Sequence, residues 1–203
     1  TVVLDKTGTV TQGKPVVTDV IALDADGTTA GENTQAYTEL LQLAFSLEKM
    51  SSHPLAEAIV KKAEERSAAL KEVSDYEMIP GQGIAGTIDK TRCFAGNRKL
   101  METNKIDISA AAGLQEKLAD EGKTPLYFAQ GGKFLGVIAA ADVVKPTSRE
   151  AIARLQEMGM DVIMLTGDNA RTAEAIKKQV GIKTVIADVL PQDKEEKVRQ
   201  LQK

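Results

Sequence analysis

Aromatic residues are scarce in this 203-residue chain: they make up 3% of it, with no tryptophan, three tyrosines and four phenylalanines. A surface that stacks successive bases on several rings is therefore not expected. The single cysteine, Cys93, excludes an internal disulfide and any multi-cysteine metal site, and fits a reducing compartment. With no ligand-type residue beside it, it reads as a small buried strand residue. Positive charge is not in excess either. The formal net charge is -3, and without clustered lysine and arginine to neutralise phosphates a nucleic-acid partner is not expected. The longest mostly apolar stretch, residues 134–144, falls far short of the ~20 residues a membrane helix needs. The chain opens at Thr1, without a methionine or targeting segment, directly on what reads as a buried strand. It is expected to be a piece of a longer protein.

What is present is ordinary globular composition, 42% hydrophobic and 27% charged, enough for one large domain or two small ones. Several runs repeat a strand, loop and helix order. Val2-Val3-Leu4 ends in Asp5 before a Thr/Gly loop. Residues 161–165 run into Thr166-Gly167-Asp168, and Ala173, Ile176 and Val180 mark a helix ending at Gly181. Thr147 and Glu150 have the spacing of a capping box for a helix carrying Ile152, Leu155 and Met158. Residues 184–187 read as another strand, and Pro191 sits where a helix start would place it. This alternation predicts a parallel sheet covered by helices.

The middle differs. Helices are expected near residues 34–49 and 54–66, followed by short strands bounded by glycine; 126–130 and 134–139 flank Gly131-Gly132, a hairpin signal. The expected organisation is a discontinuous α/β domain of residues 1–14 and 145–203, interrupted by an α+β domain of residues 15–144 with an antiparallel sheet. Prolines at 15 and 146 mark the junctions and suggest a hinge. The charge-rich stretches 61–66 and 192–203 read as solvated helix faces.

Ligands in open parallel sheets gather at the carboxyl ends of strands, and Asp5 and Asp168 both follow apolar runs that way. Asp5-Lys6-Thr7-Gly8-Thr9 places a carboxylate at a strand end before a loop rich in hydroxyls and flexible backbone. Such a carboxylate can attack a phosphoryl group, and loop N–H groups can hold phosphate oxygens. Taken singly, Asp5 is a turn-capping residue, Thr166 a helix cap and Lys194 a solvated lysine.

Together these residues resemble the P-type ATPases, whose phosphorylation motif is Asp-Lys-Thr-Gly-Thr and whose core resembles the haloacid dehalogenase fold. Thr166-Gly167-Asp168-Asn169 resembles the second catalytic motif, and Leu190-Pro191 with Lys194 the third. The resemblance implies that Asp5 is the phosphorylated nucleophile, with Lys6 and Thr7 in its loop. Thr166 is a phosphate hydrogen-bond donor, Gly167 and Asp168 are catalytic residues of the same motif, and Lys194 is the cation that offsets developing charge. It implies ATP as cosubstrate and Mg²⁺ held by Asp5 and the Thr7 carbonyl. Ser51-Ser52-His53-Pro54 resembles the Ser-x-His-Pro signature of the heavy-metal-transporting branch. There the histidine, with a glutamate five residues earlier (Glu48 here), orients ATP. Gly81-Gln82-Gly83-Ile84-Ala85-Gly86 formally fits a dinucleotide fingerprint, yet a strand rather than a helix follows it. It resembles instead the branch's Gly-x-Gly loop, which brings Gly81, Gly83 and Ile84 to the nucleotide. Gly96-Asn97 resembles the element beside the adenine, although Asn97 also suits a helix N-cap.

Copper and zinc branches share these signatures, and residues 96–101 and 189–191 look copper-like. By the resemblance the chain is a soluble, monomeric portion from the cytoplasmic face of a bacterial or archaeal plasma-membrane transporter. Its partners would be ATP/ADP, an actuator domain, membrane helices and a metallochaperone. The family's Gly-Asp-Gly-x-Asn-Asp element is not in the chain, so ATP binding with incomplete catalysis is the expectation. Two alternatives stand beside this one. A stand-alone phosphatase would carry an acid two residues after the nucleophile, where Thr7 stands; a nucleotide-binding module would need no catalysis.

Overall fold

The computed structural model describes residues 1–201, with Pro191 described by its backbone alone. The last two residues of the charge-rich 192–203 stretch lie outside the described residues. Along the chain the strands are β1 (Val2–Asp5), β2 (Thr11–Ala22), β3 (Ser74–Ile79), β4 (Gly83–Ile88), β5 (Thr91–Gly96), β6 (Thr124–Gln130), β7 (Lys133–Val144), β8 (Val162–Leu165) and β9 (Thr184–Ile186). The helices are α1 (Gln35–Glu48), α2 (Pro54–Glu65), α3 (Arg98–Thr103), α4 (Leu114–Asp120), α5 (Ser148–Glu157), α6 (Ala170–Val180) and α7 (Lys194–Leu201). They form two compact units: Thr1–Pro15, Lys117–Lys123 and Asp142–Lys203 in one, Val16–Glu116 and Thr124–Ala141 in the other.

In the first unit the short aliphatic runs pair as a parallel sheet in the order β1-β8-β9, with Asp5 opposite Leu165. Strands of this kind are apolar on both faces because helices cover them, and all four residues of β8 are buried. Val10, Ile152, Met164, Ile176 and Val180 form the core between sheet and helices. Asn169 caps α6 by accepting from the Thr172 N–H at 3.0 Å, and Gly181 ends that helix at a φ of 76°.

The predicted capping box of α5 does not form. Thr147 adopts helical backbone angles and makes no side-chain cap bond, while Glu150 instead reaches Arg154 one turn on. The next residue, Ser148, donates its hydroxyl to the Val10 carbonyl at 2.7 Å. A bond that ties the helix start to the loop after Asp5 displaces the local cap. Pro191 opens a short 3₁₀ turn, Pro191–Asp193, and α7 follows from Lys194.

The second unit is a six-stranded sheet in the order β2-β7-β6-β5-β4-β3, antiparallel through the pairs β3 to β7. Gly131 and Gly132, both with positive φ, make the two-residue turn between β6 and β7. Apolar residues of α1 (Leu40, Leu41, Leu47) and α2 (Ile59) bury against Ile84, Ile88, Phe128 and Ile138 of the sheet. Cys93 is buried in this core, as its setting suggested.

Candidate active site

In the first unit the parallel pairing of β1 with β8 sets the ends of both strands side by side, which brings Asp5 and the Thr166-Gly167-Asp168 turn together. Lys194, opening α7, donates its ammonium to Asp5 Oδ1 at 2.7 Å. The Asp5 carboxylate is 44% exposed and so accessible to an incoming group. Lys6, the next residue, is buried, with Asp168 Oδ2 at 2.7 Å and Asp142 Oδ2 at 3.7 Å. Its charge is thus matched by two carboxylates, the arrangement a buried ammonium requires. The Thr166 hydroxyl is almost fully buried and accepts from the Asp168 N–H at 3.1 Å, which leaves its own proton free to donate. The Gly167 position is crowded by the Val189 carbonyl 3.2 Å from where a Cβ would stand.

The loop after Asp5 takes its shape from residues that the sequence reading passed over. Asp142 accepts from the Thr11 hydroxyl at 2.5 Å and from the Gly13 N–H at 2.8 Å, and the Lys145 ammonium donates to the Gly8 carbonyl. Gly8 itself adopts a φ of 77°, which a side chain would resist. The signal for Asp142 was present: it follows an apolar run just as Asp5 and Asp168 do.

In the second unit a cavity of about 640 Å³ is lined by Glu48, His53, Gly81, Gly83, Ile84, Gly96 and Asn97, together with Ser51, Met78, Pro80 and Leu126, among others. All seven nucleotide-site residues expected from sequence therefore share one pocket of small-ligand size. Among the described residues no Phe, Tyr or Trp lines it. Glu48, at the end of α1, is only 4% exposed, and burial pushes its carboxyl from 4.5 up to about 7. His53 precedes Pro54 and caps α2, its Nδ1 accepting from the Leu55 N–H at 3.2 Å. That bond puts the ring proton on Nε2, where it is available to a ligand.

The glycines divide by role. A Cβ on Gly83 would collide with the Ala95 carbonyl and Gly96 Cα, and one on Gly96 with the Gln82 carbonyl. Glycine there is demanded by the close approach of β4 to β5, not by a ligand alone. Gly81, with a φ of 69° and open space beside it, is the glycine that faces the pocket freely. Asn97 caps α3 through Leu100 N at 3.1 Å and donates to the Gly81 carbonyl at 2.9 Å, so it is a cap and also the tie between the two glycine elements.

Comparison with known proteins agrees with this geometry. The chain matches the family model described as haloacid dehalogenase-like hydrolase over residues 1–203. It is 46% identical over 205 aligned positions to the copper-exporting P-type ATPase of Staphylococcus aureus (strain JH9), an alignment that covers 100% of this chain and 24% of that protein. The chain thus spans about a quarter of the length of the curated relatives it matches. Among solved structures, a zinc-transporting PIB-type ATPase in its E2.Pi state superposes with a TM-score of 0.80 at 32% identity, covering 98% of this chain and 31% of that one. The catalytic domain of the CPx-ATPase CopB-B, studied for its conformational changes on nucleotide binding, gives 0.68 at 26% identity, covering 98% and 65%. The family model matched along the whole chain, with a parallel sheet that carries an aspartate at its carboxyl edge, places this protein in the haloacid dehalogenase-like hydrolase family.

Proposed function

We propose that this chain is the nucleotide-binding and phosphorylation portion of a metal-exporting P-type ATPase, with copper as the exported metal. The observation that carries the reading is the Asp5–Lys194 pair at the end of β1, flanked by Thr166 and by Lys6 held between Asp142 and Asp168. In the proposed step an Asp5 oxygen attacks the γ-phosphorus of ATP. The bond from phosphorus to the β–γ bridging oxygen breaks, and ADP leaves with the electron pair. Lys194 and the Thr166 hydroxyl offset the charge on the equatorial oxygens. Lys6 holds the Asp168 turn against the loop.

Asp5 and the Thr7 carbonyl are hard oxygen donors that fit Mg²⁺, and the described residues hold no cluster of three or more His, Cys, Asp or Glu that would form a dedicated protein cage. That suits an ion which keeps phosphate and water oxygens for most of its shell. When bound, Mg²⁺ would neutralise phosphate charge.

The copper assignment draws on the 46% identity to copper exporters, against 32% for the zinc transporter. The cavity of the second unit is proposed as the adenine pocket, with Glu48 accepting from the exocyclic amine and His53 donating through Nε2. Residues 15–144 and the flanking segments 1–14 and 145–203 then serve as nucleotide-binding and phosphorylation domains. The partners under this reading are an actuator domain, membrane helices and a metallochaperone at the cytoplasmic face of a plasma membrane. No described helix is long and apolar enough to cross a membrane, so the transport path would lie elsewhere in the longer protein.

The test is incubation of the full-length protein with γ-labelled ATP and Mg²⁺. An acid-stable, hydroxylamine-labile label that disappears in Asp5→Asn is expected, and Lys194→Ala should lower its formation by about 10²–10³-fold. Bound nucleotide without label would favour a non-catalytic module. Rapid release of phosphate from small phosphoesters would favour a phosphatase.

A further inference from the structure

Strand β3 carries a one-residue bulge beside the cavity of the second unit. Ser74 stands opposite Thr87 of β4 and Glu77 opposite Ala85, so three steps along β3 match two along β4. Regular pairing from Ser74 would set Glu77 opposite Ile84; the extra residue sets Met78 there instead. Residues directly opposite on an antiparallel pair share a face, and the face of Ile84 is the one that carries the core. The bulge is fixed by polar contacts: Asp75 takes a φ of 48°, and the Arg92 guanidinium donates to the Asp75 carbonyl at 3.0 Å and to Glu77 at 2.7 Å. Met78 is nevertheless 62% exposed, and it lines the cavity with Pro80, Ile84 and Leu126. A single exposed methionine is ordinary. Of the six large apolar side chains exposed among the described residues, however, Met78 alone lines this cavity, and a bulge aims it there.

We propose that Met78 is the contact for the flat face of the nucleobase: its thioether lies along the ring while Glu48 and His53 take the polar edge, and it favours purine over pyrimidine. This rests on reading the cavity as the adenine site. The face of a base is apolar and needs cover, yet no Phe, Tyr or Trp lines the cavity to stack on it. A methionine sulfur is polarizable, makes favourable contacts with rings, and sits on an unbranched chain that can settle onto a ligand. Ile84, 6% exposed and packed in the core, is fixed by comparison. Contact and buried area both grow with the size of the ring, so a two-ring base gains more from Met78 than a one-ring base. Glu48 cannot supply that discrimination, because cytosine carries an exocyclic amine just as adenine does.

Magnetic resonance of this chain with isotope-labelled methionine methyls, titrated with MgATP, tests the proposal together with calorimetry. Of the six methionines, Met78 should show the largest upfield shift, from the ring current of the base. Met78→Ala should bind MgATP about five- to tenfold more weakly, lose the same factor with AMP, and narrow the preference for ATP over CTP. Met78→Leu, of similar volume, should stay within about threefold of wild type. Because the side chain is exposed, Met78→Ala without nucleotide should unfold at the wild-type temperature. A loss that grows with the number of phosphates overturns the Met78 role and leaves the pocket. So does an unmoved Met78 methyl with wild-type affinity in Met78→Ala, while His53→Gln weakens binding. If MgATP does not bind, or neither His53→Gln nor Glu48→Gln alters affinity, the adenine-pocket reading falls and the Met78 role with it.

Discussion

Glu48 shows how one residue couples stability to pH. Its carboxyl titrates near 4.5 when unfolded and near 7 in the folded chain, with burial as the cause. Between those values the folded state holds more protons. Stability is therefore fully present below 4.5, declines as pH rises through 7, and is level above it. At about 1.4 kcal/mol per pH unit the decline is roughly 3 kcal/mol. Glu48→Gln should flatten this part of the urea-denaturation profile and be the more stable protein at pH 8 by about 1–3 kcal/mol; a wild-type profile already flat from pH 5 to 8 would place Glu48 in contact with water. At the same scale, Asp142, Lys145 and Ser148 shape the loop after Asp5 through contacts 129 to 138 residues apart in sequence. Asp142 follows an apolar run, but nothing local marks Lys145 or Ser148 as its partners at this loop, whereas Asp5, Asp168 and His53 carry their motifs with them.

At the scale of elements, the structure separates residues that looked alike in sequence. Gly83→Ala should cost about 3 kcal/mol or more, because its Cβ meets fixed backbone of β5. Gly81→Ala should cost about 1 kcal/mol, the strain of a positive φ with open space alongside. Chemical denaturation of the two variants measures the difference, and equal losses would refute the close β4–β5 approach as the reason for Gly83. Helix starts divide in the same way. Asn169→Ala should lose about 1 kcal/mol with its cap bond, while Thr147→Ala, which removes no cap bond, should stay within about 0.5 kcal/mol. The strand and helix types were legible because periodicity and turn glycines are local. The failed capping box was not, because Ser148 is held by Val10, a residue far away in the chain.

For the whole molecule the telling feature is that the two units have separate apolar cores, one around Leu40, Leu47 and Phe128 and the other around Val10, Met164 and Ile176. Cooperative unfolding follows a shared core, so calorimetry should resolve two transitions. Saturating MgATP, at about 100 times its dissociation constant, should raise only the transition of the unit holding Glu48 and His53, by roughly 10 °C. A single transition, or an equal rise in both, would show that the units unfold as one.

Taken by itself, the sequence determined the kind of elements and where candidate chemistry sits on them: a carboxylate at a strand end, a parallel α/β pattern and an antiparallel insert. Each depends on residue type and short spacing, which the chain carries in one dimension. The tertiary structure alone decided which charges meet and which glycines are forced by backbone and which by turn geometry. Those outcomes depend on distances between segments far apart in the chain, and only the packing of the sheets and helices sets them.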